Sequence, residues 1–288
     1  MKLIFFFLFV TWTALQPALP VEEEGNRLIR KVPLTTEQHL NVDIASYTGN
    51  FYLLPEETNL AYRLYLKYEH TPPVVTYSRM GDRGYLSIKS KAYSKKDDEN
   101  SDLQEEELDF RQECELYLTP QVPLELKMKF GVVRGEMELG GLQIKRMELS
   151  AGVSKLLVNF SDSNPIPLET IRIQAGVGQL KMNQLGNANF RYLEFKGGIG
   201  TSFLDLSGHF QQQARLKFNI GIGKVTLYLP RSIGVRIKVN KSFFSSVDID
   251  EVYKRNGYYY NELWNETQAF MDIQINAGIG QVVIKWVD

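Results

Sequence analysis

One cysteine cannot close an intrachain disulfide, so the fold must hold itself together by other means. Cys114 stands in the alternating run "LDFRQECELYL", on the same face as Leu108, Phe110, Leu116 and Leu118. That placement reads as a small buried apolar side chain rather than a reactive thiol. Histidine is almost as scarce: His39, His70 and His209 stand far apart, without the short spacings of a metal site. No GxSxG elbow, phosphate-binding loop or dinucleotide fingerprint occurs, and the GxG pairs lie inside strand patterns instead of opening helices. The reading is therefore no metal, no cofactor and no enzyme.

Charge of one sign is missing too. The first eighteen residues, "MKLIFFFLFVTWTALQPA", carry one Lys, an apolar run from Leu3 to Val10 and then small and helix-breaking residues, the layout of a signal peptide cleaved near Ala18. Without them 32 basic side chains face 34 acidic ones, a net charge of −2, which argues against a binder of nucleic acid. The N-terminal apolar run falls short of the roughly 20 residues that span a bilayer, and no other stretch is long enough. The expectation is an exported chain of the periplasm, cell envelope or extracellular space, with no membrane span after processing.

What is present is repetition. "SAGVSKL" at 150–156 returns as "QAGVGQL" at 174–180, "KGGIGTS" at 196–202, "NIGIGKV" at 219–225 and "NAGIGQV" at 276–282. Gly131, Gly152, Gly176, Gly198 and Gly221 follow one another at spacings of 21, 24, 22 and 23 residues, and Gly278 comes 57 residues later. Such a period marks stacked supersecondary units. Before each corner apolar residues alternate, as Met147, Leu149, Ala151, Val153, or Ile171, Ile173, Ala175, Val177, or Leu216, Phe218, Ile220, Ile222. After it they resume one step out of phase, as Leu156, Val158, Phe160, or Leu180, Met182, or Val225, Leu227, Leu229. A phase slip on a glycine means that the backbone turns while keeping its apolar side inward. Gly178, Gly200, Gly223 and Gly280 fall two residues later in the same corners.

The fold class predicted is all-β: a single-chain, β-helix-like β-solenoid of about 21–24-residue coils with glycine-containing β-arcs. Outward-facing Lys127, Glu148, Arg172, Glu194 and Lys217, then Gln274, form a column of alternating sign, as parallel stacking about 4.8 Å apart favours. Near residue 243 a worn copy of the corner is due, with Phe243 and Ser245 roughly in the glycine positions.

Residues 19–125 read as an N-terminal β region with degenerate coils, since "GNFYLLP" at 49–55 echoes "GKVTLYLP" at 223–230. Within it 94–107, "SKKDDENSDLQEEE", reads as a mobile acidic loop without the spacing of a calcium site. Residues 126–288 read as the repeat domain, interrupted by an aromatic insertion at 252–270.

The stretch "GIGKVTLYLPRSIGVRIKVNKSFFSSVDID", then "YYY" and "MDIQINAGIGQVVIKW", resembles the toast-rack and LiaF-like family of bacterial β-repeat domains, related to cell-wall-active antibiotic response proteins and adhesin-like domains. The resemblance runs from about residue 126 onward. It implies a single-stranded β-helix-like stack, an envelope location and, for some relatives, a part in envelope stress through protein contacts. The chain departs from it in lacking the LiaF-like transmembrane helices and the corner glycines near Phe243.

Among chemical groups the insertion "VYKRNGYYYNELWNETQAF" is the most informative. Tyr258, Tyr259, Tyr260 and Trp264 suit either a lid over the solenoid or a contact surface, and Lys254 and Arg255 beside them suit an anionic partner. The final strand pattern, "AGIGQVVIKWVD", has no polar cap after it and reads as an open solenoid end, covered by the insertion or by another chain. The function expected is a non-catalytic module that binds an envelope protein or a surface polymer, with self-association at that end as a structural or adhesive alternative. The enzymatic rival is a β-helix carbohydrate-active enzyme, with Asp205 as its one isolated carboxylate.

Overall fold

A computed structural model describes residues 21–69, 71–90, 112–249 and 252–288. The expected signal peptide and the expected mobile acidic loop at 94–107 lie outside the described residues. The chain is a β-solenoid. Its long strands are whole coils, each bent at its glycine corner into two arms: β3 (His39–Pro55), β8 (Leu124–Glu138), β9 (Ile144–Asn159), β10 (Leu168–Asn183), β11 (Phe190–Asp205), β12 (Gln213–Pro230) and β17 (Phe270–Val287).

Alternation within each arm explains the core. In β9, Met147, Leu149 and Ala151 are buried along the first arm and Leu156 and Val158 along the second. Phe160 follows, and a return segment carrying Leu185, Ala188 and Phe210 in neighbouring coils closes the third side. Stacking is parallel and in register, so Leu149, Ile173, Phe195, Phe218 and Ile275 form one continuous internal column. Each such side chain contributes roughly 1.5–3 kcal/mol by leaving water. The buried Cys114 belongs to this core, and burial pushes its thiol pKa well up.

The charged column is also in register: Asp43, Lys127, Glu148, Arg172, Glu194, Lys217 and Gln274 succeed one another, with Arg172 and Glu148 in an ion pair at 3.2 Å. Return turns are tied down by asparagines that periodicity does not reveal. Buried Asn164 accepts from the Ile144 amide at 2.8 Å and donates to the Ile144 carbonyl at 2.8 Å, and Asn187 donates to the Phe160 carbonyl. Buried polar groups of this kind must be matched, and here one amide side chain satisfies a strand end on both sides.

Layer order departs from chain order at both ends. At the start, β6 (Arg83–Lys89) and β7 (Glu113–Leu118) make one split coil that pairs with β3, so β3 is the second layer and β8 stacks on its other side. The finish mirrors this arrangement. β13 (Gly234–Lys241) and β14 (Ser245–Ile249) make a split coil that pairs with β17, while β17 pairs with β12 on its other side. The expected open C-terminal end is therefore corrected: the last strand is an inner layer.

Caps differ between the ends. Antiparallel β5 (Val74–Met80) covers β6, and antiparallel β4 (Leu60–Lys67) covers β7, followed by β2 (Arg27–Pro33) and β1 (Val21–Glu24). At the far end β15 (Tyr253–Arg255) and β16 (Tyr258–Tyr260) form a hairpin on β13 alone. Among the described residues no strand pairs with the outer edge of β14.

Candidate functional site

The corner itself carries the largest departure from the sequence reading. Alternation placed Val153, Val177 and Ile222 inward, but the slip consumes two residues, and both the first glycine and the residue after it face out. Val132, Val153, Val177, Ile199, Ile222 and Ile279 are aligned from layer to layer along the outside of the solenoid. Five of them, Val153 to Ile279, are between 44% and 53% exposed, whereas buried strand positions next to them, such as Ala151 and Ala277, stay below 9%. The backbone requires this arrangement. At Gly200, φ is +140° and a Cβ would lie 2.0 Å from the Gly178 carbonyl oxygen, so only a glycine passes.

The final layer extends the ridge in aromatic form. Ser242 donates its hydroxyl to the Gly278 carbonyl and Ser245 lies beside Gly280, so these two serines hold the glycine positions. Phe243 and Phe244 fill the turn between them, where other coils have one aliphatic residue. Phe243 thus sits at the ridge position and not, as the spacing implied, at a glycine. The two rings meet edge-on at 5.3 Å between centroids and are 94% and 69% exposed. From Val132 to the phenylalanine pair the stripe takes six steps of about 4.8 Å, a length of about 29 Å.

Charge within the corner segments themselves is of one sign. The seven corner segments, 129–134, 150–155, 174–179, 196–201, 219–224, 276–281 and 240–246, contain Lys129, Arg134, Lys155, Lys196, Lys224 and Lys241 and no carboxylate. All six cations are exposed, and Lys196 also reaches Glu194 at 3.4 Å.

The aromatic insertion is a lid on half of the solenoid end. Tyr258, Tyr260, Trp264 and Phe270 form a chain of ring contacts with centroids 5.3–6.2 Å apart. Arg236 lies over both Tyr258, at 5.1 Å, and Trp264, at 4.8 Å, while its guanidinium grips Asp272 at 2.6 and 3.1 Å. Tyr259 packs toward the core and Lys254 lies 5.2 Å over its ring. Arg255 is exposed at the hairpin tip, opposite Tyr258. Asn261 latches the insertion to β13, accepting from the Val235 amide at 2.8 Å and donating to the Ile233 carbonyl at 2.7 Å.

Other groups are structurally engaged. Asp205 accepts from the amides of Ser207 and Gln184 at 2.9 and 3.4 Å, which commits its carboxylate to a turn. His39 lies 3.9 Å from Asp82 and His209 contacts Gln211; His70 lies outside the described residues. In the N-terminal cap, Glu37 is buried against Tyr77, Arg79 and the Thr35 amide. Burial alone would raise its pKa, but these donated hydrogen bonds outweigh burial and hold it at about 2.

A described family matches this chain: the model of the N-terminal domain of toast_rack (DUF2154) matches residues 21–183 and again 163–228. The chain belongs to the toast-rack family. That match covers the N-terminal third, where the sequence resemblance did not reach, because β3 and its split neighbour are coils with worn corners. Among curated proteins none matches. Two crystal structures are similar to this toast-rack chain: a candidate cell adhesion protein from Clostridium sporogenes ATCC 15579, 18% identical over 91% of this chain and 99% of that one with a TM-score of 0.46, and a candidate adhesin from Bacteroides fragilis NCTC 9343, 10% identical over 91% and 98% with a TM-score of 0.40.

Proposed function

We propose that this toast-rack protein is an exported, non-catalytic attachment module of the bacterial cell envelope that meets its target along the corner ridge. One observation carries the reading. An aliphatic stripe about 29 Å long, ending in two exposed phenylalanines, stands on the outside of a rigid coil stack. Each strand is pinned by its neighbours, so little ordering entropy is lost on contact. Tyr258, Tyr259, Tyr260 and Trp264, with Lys254 and Arg255, serve in this reading as a lid that shields the edge of β13.

Photocrosslinking in the native host from position 222, in mid-ridge, tests it. Capture of envelope material from 222, with none from a control position on the charged ladder such as 217, is the expected result. Crosslinks confined to this same chain would sink the reading.

The outer edge of β14, with which no described strand pairs, favours a second reading, association of two copies through that edge. Concentration-dependent sedimentation would reveal it.

A further inference from the structure

The proposed function leaves the target's chemistry open, and the ridge narrows it; the inference that follows rests on that reading. We propose that the ridge docks on an anionic lipid surface, with Phe243 and Phe244 entering the headgroup region and the flanking cations lying against lipid phosphates.

Shape comes first. Glycines flank each of Val177, Ile199, Ile222 and Ile279 in sequence, and these four side chains are 47% to 53% exposed along the bend of the coil stack. An aliphatic line exposed over its whole length can lie along a lipid interface, which deforms to meet it. Composition comes second. The protein as a whole is nearly neutral, yet along seven layers the corner holds six cations and no carboxylate. That bias is local, because the charged ladder on the first arm alternates Lys127, Glu148, Arg172 and Glu194. Basic side chains beside an apolar stripe are the composition that binds anionic membranes, the apolar part partitioning into the interface while the cations add an attraction that salt screens.

The position of the phenylalanines is the third point. At Val177, Ile199, Ile222 and Ile279 the corner has one aliphatic residue between two glycines; the last layer has two aromatics between two serines, at the end of the stripe and beside Lys241. The two rings are 94% and 69% exposed and meet each other edge-on. In a bilayer interface they anchor one end while the aliphatic residues lie along the surface.

Flotation of the chain recovered from its host, with vesicles of phosphatidylcholine alone and of equal parts phosphatidylcholine and phosphatidylglycerol, tests the inference. Variants are Phe243→Ser with Phe244→Ser, and Lys155→Gln with Lys224→Gln and Lys241→Gln. All carry the same N-terminus, so any contribution of residues 1–18 cancels, and exposure of the altered positions keeps the fold intact, which an unchanged melting curve verifies. Expected are binding to the phosphatidylglycerol vesicles only, a loss of about tenfold or more in affinity with either variant set, and release at high salt. Equal binding to both vesicle types, or binding unmoved by both variant sets, would overturn the proposal. Absence of vesicle binding alongside specific envelope capture from position 222 overturns the lipid target and leaves the attachment reading standing. Absence of both overturns both.

Discussion

Gly200 lies directly over Gly178, so close that a Cβ on the upper residue would sit 2.0 Å from the lower carbonyl oxygen. The same relation joins Gly223 to Gly200 and Gly280 to Gly223. Close approach and positive φ act together there.

Gly200→Ala is expected to cost about 2–4 kcal/mol, from the disfavoured conformation and the displaced coil together. Gly25→Ala, at a turn with φ +57° and open space around it, should cost only about 1 kcal/mol. Urea unfolding of both variants makes the comparison; equal costs would refute the role of coil-to-coil contact.

Removal of residues 270–288 is expected to release β13 and β14 as well as the deleted strand, because β17 is the layer that joins them to β12. Hydrogen exchange should show protection lost at 234–249 while 144–205 keeps its own. Retained protection at 234–241 would mean that those residues find another partner.

Arg236→Ala should loosen the aromatic lid, since it removes the ion pair with Asp272 and the cation held over Tyr258 and Trp264. A cost of about 1–3 kcal/mol is expected, part of it from leaving Asp272 without its donor. Proteolysis at Lys254 and Arg255 would report the opening, and an unchanged cleavage rate would count against the lid.

Acid sensitivity of the N-terminal cap should trace to Glu37. Its pKa is about 2 when folded against 4.5 for the unperturbed group, so its contribution to stability is present above about pH 4.5 and is lost as pH falls toward 2. Glu37→Gln should flatten the fall of the urea midpoint across that window and destabilise the cap by about 1–3 kcal/mol at neutral pH. Parallel pH profiles for the two proteins would show that other carboxylates dominate.

Much of the solenoid was legible because two periods are superimposed in it. Alternation of two marks the arms, a spacing of 21 to 24 marks the coils, and the alternating signs from Lys127 to Lys217 mark parallel stacking. The candidate site was less legible. Alternation carried through Val153 and Ile222 predicts burial, but the residue inside a bulge escapes the period of the strand around it. One signal was available: the corner segments contain cations and no acid, as a solvent-facing strip does. Asn164, Asn187 and Asn261 were invisible for another reason, since a buried asparagine and an exposed one look alike until the strand end that it satisfies is known.

By itself the sequence determined the local unit: bent strands with a glycine corner, an apolar interior and a charged outer column, all set by neighbours a few residues or one coil away. Only the tertiary structure decided the order of the layers, the place of the last strand between β12 and the split coil, and the exposure of the corner residues. Layer order depends on which edges remain unpaired once the whole chain has assembled. No local pattern carries that information, because β17 presents the same residues to either neighbour.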